Sequence, residues 1–120
     1  MKVICRILID GDGRALDSCT WMTVGKTYHV LAISYDEQHK FMYRILGDSA
    51  TTPALFDPRQ FEVVSGRDPG NWVVNVDADG FELSPAPWLA LGFWNRFFDG
   101  DKDAVKIFEE EMRTVISADP

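Results

Sequence analysis

Two cysteines and two histidines in 120 residues leave little material for cysteine or metal chemistry. Cys5 and Cys19 are too few for a disulfide framework or a complete zinc site. Neither His29 nor His39 has a cysteine or a second histidine at metal-ligand spacing. A glycine-rich phosphate loop and a nucleophile elbow are both missing. Long apolar runs are missing too. Residues 3–9 are interrupted by Arg6 and run into Asp10-Gly11-Asp12-Gly13 rather than a small-residue cleavage site, so no signal peptide is expected. No stretch reaches the length of a membrane span, and a cytoplasmic location with reduced cysteines is the default expectation. Basic residues are scarce as well, with 12 Lys and Arg against 19 Asp and Glu and a net charge of −7. Nucleic acid and anionic membrane are therefore poor partners, because phosphate contacts need clustered Lys and Arg.

What remains is an ordinary globular composition, 46% apolar and 26% charged, of a size that one domain fills. Such a chain buries enough surface to fold without a metal or disulfide. Acidity keeps a protein soluble and attracts basic partners, and it is also common among cytosolic proteins with no such partner.

Along the chain, residues 3–9 read as a strand ending in turn chemistry, and residues 14–20 as a polar loop. Residues 21–24 read as a short extended piece. Residues 27–35 read as one strand, with Leu31, Ile33 and Tyr35 on one face and Tyr28, Val30 and Ala32 on the other. A polar hairpin loop at 36–40 leads to a returning strand at 41–46. Residues 54–56 form a further short strand, Asp57-Pro58 starts a single 3₁₀ turn, and residues 61–64 are a closing strand. Residues 65–70 mark an internal boundary. Strands at 72–76 and 81–83 flank Asp77-Ala78-Asp79-Gly80, a good hairpin turn. After Pro87 the period becomes helical: Phe93, Trp94, Phe97 and Phe98 share one face. Gly100 ends that helix and Asp101 caps the last one, whose apolar stripe is Ala104, Val105, Phe108, Met112, Val115 and Ile116. Only residues 117–120 have a disordered composition.

The order of these signals from Val3 to Val64 resembles an SH3-like barrel. Val24-Gly25-Lys26-Thr27-Tyr28-His29-Val30-Leu31 resembles the turn and second strand of such barrels, Met42-Tyr43-Arg44-Ile45 the third strand, and residues 58–64 the 3₁₀ turn and last strand. The resemblance implies an α+β, mainly β fold. A five-stranded SH3-like barrel at residues 1–66 would be followed by a β-hairpin at 67–84 and two C-terminal helices at 85–117, all in one domain. The aromatic-acidic motif of peptide-binding SH3 domains is missing, since the corresponding loop reads Arg14-Ala15-Leu16-Asp17-Ser18. The whole chain also resembles small bacterial proteins of the toxin-immunity type, prompted by the tail from Trp88 through Gly92-Phe93-Trp94 to Phe97-Phe98-Asp99-Gly100-Asp101. That group shares no catalytic or binding motif, so it implies no site residues.

Asp99-Gly100-Asp101-Lys102-Asp103, with Glu110 twelfth in the frame, imitates a calcium loop. The sixth position, where a sharp turn demands Gly, is Ala104, and the eighth, normally apolar, is Lys106. A helix break with an Asp cap and a dipole-stabilised acidic first turn explains the same letters. No metal and no cofactor are expected. The expected function is that of a non-enzymatic binding protein, an immunity protein that neutralises a toxin by direct complexation. It would use acidic side chains around an aromatic anchor: Asp99, Asp101, Asp103, Glu109, Glu110, Glu111 and Trp94. The expected partner is a protein, a basic toxin domain. The rival reading is a structural or regulatory accessory domain that self-associates into a homodimer. Cys5 or Cys19 acting with His29, or a metal, is the enzymatic alternative.

Overall fold

The computed structural model describes residues 1–38 and 40–120; His39 and any role assigned to it lie outside them. Strands β1 (Lys2–Cys5), β2 (Thr27–His29), β3 (Ala32–Asp36), β4 (Lys40–Ile45), β5 (Ala54–Phe56), β6 (Phe61–Ser65), β7 (Trp72–Val76) and β8 (Gly80–Pro85) precede helices α1 (Phe93–Phe98) and α2 (Lys102–Ala118). Single 3₁₀ turns stand at Pro58–Gln60 and Ala86–Leu89. The strands form two antiparallel sheets, ordered β2-β1-β6 and β5-β4-β3-β8-β7. The fold is thus α+β and mainly β, with no closed barrel among the described residues. No helix among them is long and apolar enough to cross a membrane.

The expected strand at residues 27–35 is two strands in two sheets. At the junction, the Val30 N–H donates to Met1 O at 3.0 Å, while the Leu31 N–H donates to Arg44 O at 2.8 Å. The chain changes sheets between these residues, so simple alternation fails: Val30, Leu31, Ala32 and Ile33 are all buried. Val30 and Ile33 join a core with Val3, Cys5, Leu8, Met22, Tyr28, Tyr43 and Ile45 between the sheets. Leu31 and Ala32 join a second core with Trp88, Phe93, Phe97, Ala104, Phe108 and Val115, where the helices cover the opposite face of the five-stranded sheet. The hairpin extends that same sheet, because β8 pairs with β3.

Two other expectations shift because residues distant in sequence intervene. The first strand stops at Cys5 because buried Gln60 captures the next residues: its carbonyl accepts from Arg6 and Ile7, and its side chain accepts from Ile9 at 3.0 Å. Residues 21–24 are not a strand. They wrap around Asp48, whose carboxylate accepts from Thr23 Oγ1, Lys26 Nζ and Tyr28 Oη at 2.7–2.8 Å. Lys26, then Thr23 and Tyr28, hold that carboxyl below the usual range.

Residues 117 and 118 complete α2, and Asp119 is its C-cap. Asp119 is buried against Ser65 Oγ, the Met1 amine at 3.4 Å and Lys2 at 3.8 Å. His29 Nε2–H donates to the Asp119 carbonyl at 2.6 Å. The Ser65 hydroxyl, with the amine and Lys2, keeps the Asp119 carboxyl below the usual carboxylate range. Its stabilising effect is full above that range and fades as pH falls through the lowered value. Asp119→Asn is expected to lower stability at pH 7 and to flatten the loss of stability below about pH 4 in urea titrations, whereas an unchanged acid limb would contradict the latch. At Gly80 a β-carbon would sit 1.8 Å from the Tyr35 carbonyl oxygen. Gly80→Ala is expected to cost about 2 kcal/mol, and Gly11→Ala, with open space around it, less than about 0.5 kcal/mol, by urea unfolding.

Candidate functional site

Of the acidic residues singled out in the sequence, Asp99 and Asp101 stand at the junction of the two helices and the other four lie within α2, and several are occupied there. Asp99 ends α1, with its N–H donating to Asn95 O, and the left-handed Gly100 turns the chain away. The Asp101 side chain accepts from the N–H groups of Asp103 and Ala104 at 2.9 and 3.1 Å, as the cap of α2. Because helix begins at Lys102, the calcium-loop frame is wound into a helical turn. Asp103, Glu109 and Glu110 are exposed, and Glu109 lies 3.7 Å from Arg113 one turn on. Glu111 Oε2 accepts from Asn71 Nδ2 at 2.8 Å, tying α2 to the start of β7.

Trp94 is half-buried in a ring cluster with Trp88, Phe93, Phe97, Phe98 and Phe108, at centroid distances of 5.1–6.0 Å. The Arg44 guanidinium sits 3.8 Å above its face. Burial lowers the Arg44 pKa to about 10, partly offset by Glu82. An arginine so desolvated is stabilised by the ring it stacks on. Trp94 therefore holds the helices and the sheet together and has little face left for an outside group.

Cysteine chemistry has a poor setting. Cys5 and Cys19 are free thiols that share the first core; burial foremost, and then Cys19, push the Cys5 thiol up. A raised thiol holds little thiolate at neutral pH. The His29 ring nitrogen is engaged with the Asp119 carbonyl. No group of three or more metal-ligating side chains is arranged around a common point among the described residues.

Other exposed apolar chemistry lies on the face of the five-stranded sheet that carries Ile33, Tyr43 and Ile45. The three-stranded sheet covers only part of that face. Beyond its cover, Val76 pairs in register with Phe81, Phe81 with Tyr35, and Tyr35 with Phe41. This places four apolar side chains in one row across β7, β8, β3 and β4, exposed by 72%, 37%, 41% and 40%. The Tyr35 and Phe81 rings stack at 5.9 Å, and Phe41 meets Tyr43 edge-on at 5.5 Å. Phe41 also lines a groove of about 910 Å³ with Ile9, Met42, Leu55, Phe56 and Arg59. On the opposite face of the same strands, Asp36, Asn75 and Glu82 line a cleft of about 310 Å³ with Arg44, and its end at the hairpin turn is formed by Asp77 and Asp79, beside Phe81.

Sequence reading missed this row, although a signal was present. Tyr35 and Phe41 stand next to the last residue of β3 and to the first of β4, and Val76 and Phe81 stand at the facing ends of β7 and β8. Large apolar residues flanking polar turns mark strand ends that overhang whatever covers the sheet. The chain matches no protein-family model, no curated protein and no solved structure.

If Trp94 serves packing, Trp94→Ala is expected to cost about 3 kcal/mol by chemical denaturation. Glu109→Gln and Glu110→Gln are expected to change stability by less than about 0.5 kcal/mol. A neutral Trp94→Ala would contradict the packing role.

Proposed function

We propose that this protein is a non-enzymatic binding module that complexes a basic protein partner through the row Val76, Phe81, Tyr35 and Phe41. The two sheets and their shared core are read as an SH3-like barrel extended by the β7–β8 hairpin and the helices. The specific form of the proposal is immunity: occlusion of a toxin domain by direct contact, in the cytoplasm.

The single observation that supports this is the in-register exposure of four large apolar side chains, two of them stacked aromatics. Ordinary surfaces scatter exposed apolar residues singly, and a contiguous row rimmed by charge marks an interaction site. Stacked rings also lose little side-chain freedom on binding, which suits them as anchors. Asp77 and Asp79, at the turn between Val76 and Phe81, supply the complement to a basic partner. Charge complementarity there speeds the encounter, and the buried row slows dissociation. The anchor and its acidic rim thus sit at the hairpin ends of the sheet, not on the α1–α2 junction around Asp99, Asp101 and Asp103.

The test uses the tagged protein to retain a partner from lysate, with products of adjacent genes assayed for toxicity. Tyr35→Ser with Phe81→Ser is expected to weaken complex formation by at least about 30-fold, as hot-spot truncations do, and to abolish neutralisation. Reversal of Asp99, Glu109 and Glu110 to Lys is expected to change affinity by less than about threefold. The opposite ranking would move the site to the C-terminal helices, and a silent pair in both positions would remove the binding reading.

A further inference from the structure

Strand β7 is an edge of the five-stranded sheet, and it has none of the features that keep edges from pairing. Its five residues, Trp72-Val73-Val74-Asn75-Val76, contain no charge and no proline. They pair with β8 in five consecutive, unbulged steps from Trp72–Pro85 to Val76–Phe81. Natural edges are usually blunted by lysine, proline, a bulge or shortness. The other edges here are blunted: β5 and β2 are three residues long, and β6 carries Glu62 and a shifted register against β1.

We propose that β7 pairs antiparallel with β7 of a second copy, making one continuous ten-stranded sheet about a two-fold axis. This inference is argued from the β7 edge and not from the partner reading above, although Val76 belongs to both surfaces and the dimer covers that end of the row. The register follows from the hairpin. The Asp77 N–H donates to Gly80 O at 3.0 Å, so residue 77 turns its backbone groups toward β8. Antiparallel alternation then turns those of residues 73 and 75 toward β8 and those of Trp72, Val74 and Val76 outward. An outward set at 72, 74 and 76 is its own complement when reversed. Val74 meets Val74 on the axis, and Trp72 meets Val76 on either side.

The side chains and charges fit the same register. Trp72, Val74 and Val76 point to one face, so the pairing places tryptophan against valine twice, a stabilising aromatic–β-branched combination. Val74 and Val76 are 66% and 72% exposed in the single chain and gain cover from the second copy. Two chains of net charge −7 repel, yet they would meet here along a stretch with no charge in it. At its ends Asp77 comes opposite Asn71, not opposite a carboxylate. A basic partner strand would find no carboxylate along this edge, which makes a second copy the fitting occupant. One short edge covers less than a standard interface, so association in the micromolar range or weaker follows.

Sedimentation velocity of the protein, from about 1 µM to about 1 mM, reads this directly. The wild type is expected to pass from monomer to dimer, with little dependence on salt. Val74→Lys and Val74→Glu, which put like charges opposite each other on the axis, are each expected to weaken the dimer at least about tenfold. Mixing the two variants is expected to restore association, because position 74 faces only itself across the two-fold. Near-ultraviolet circular dichroism confirms that each variant is folded, and Asn75→Lys, on the opposite face, serves should either fail. A wild type that stays monomeric to about 1 mM, or variants that dimerise unchanged or fail to complement when mixed, would overturn the proposal.

Discussion

The change of sheet between Val30 and Leu31 determines which core each residue of β3, and of the strands paired outward from it, meets. One backbone amide points to Met1 and the next to Arg44, so adjacent residues enter different cores. From there β3 carries Ile33 into the core between the sheets and Ala32 into the core under the helices. β4 follows in register, with Tyr43 and Ile45 on the first side and Arg44 on the second. The five-stranded sheet is thus buried on both faces near its middle, by two covers of different size.

The unequal covers produce the exposed surface. The helices and their aromatic cluster close one face around Trp88, Phe93, Phe97 and Phe108. On the other face the three-stranded sheet reaches Ile33 and Leu83 and stops short of Tyr35 and Phe81, two residues further along their strands. The close approach of Gly80 to the Tyr35 carbonyl then locks the two strands together at the point where they leave cover. Stacked rings held across two paired strands, beside Asp77 and Asp79 at the turn, make up the proposed contact surface, which needs no rearrangement to be presented.

Much of the architecture was legible in the sequence. The 3₁₀ turn after Asp57, the Asp77–Gly80 hairpin, the helix break at Gly100 and the Asp101 cap are all local devices, written in a few neighbouring residues. The change of sheet at 30–31 was not legible, because it depends on two distant partners, Met1 and Arg44. The early end of β1 likewise depends on Gln60, more than fifty residues away in sequence. The proposed row was not legible for the same reason. Trp94 and Glu111 look available in one dimension, while Arg44 and Asn71, which engage them, come from other elements. Tyr35, Phe41, Val76 and Phe81 come from four strands, and only their pairing makes them a row.

Hydrogen–deuterium exchange of the protein alone and bound to its retained partner is the most direct measurement of where that partner sits. Slowed exchange confined to the segments around Tyr35, Phe41 and Val76–Phe81, with α1 and α2 unchanged, is the expected result. Protection centred on residues 99–111 with those three segments unchanged would contradict it.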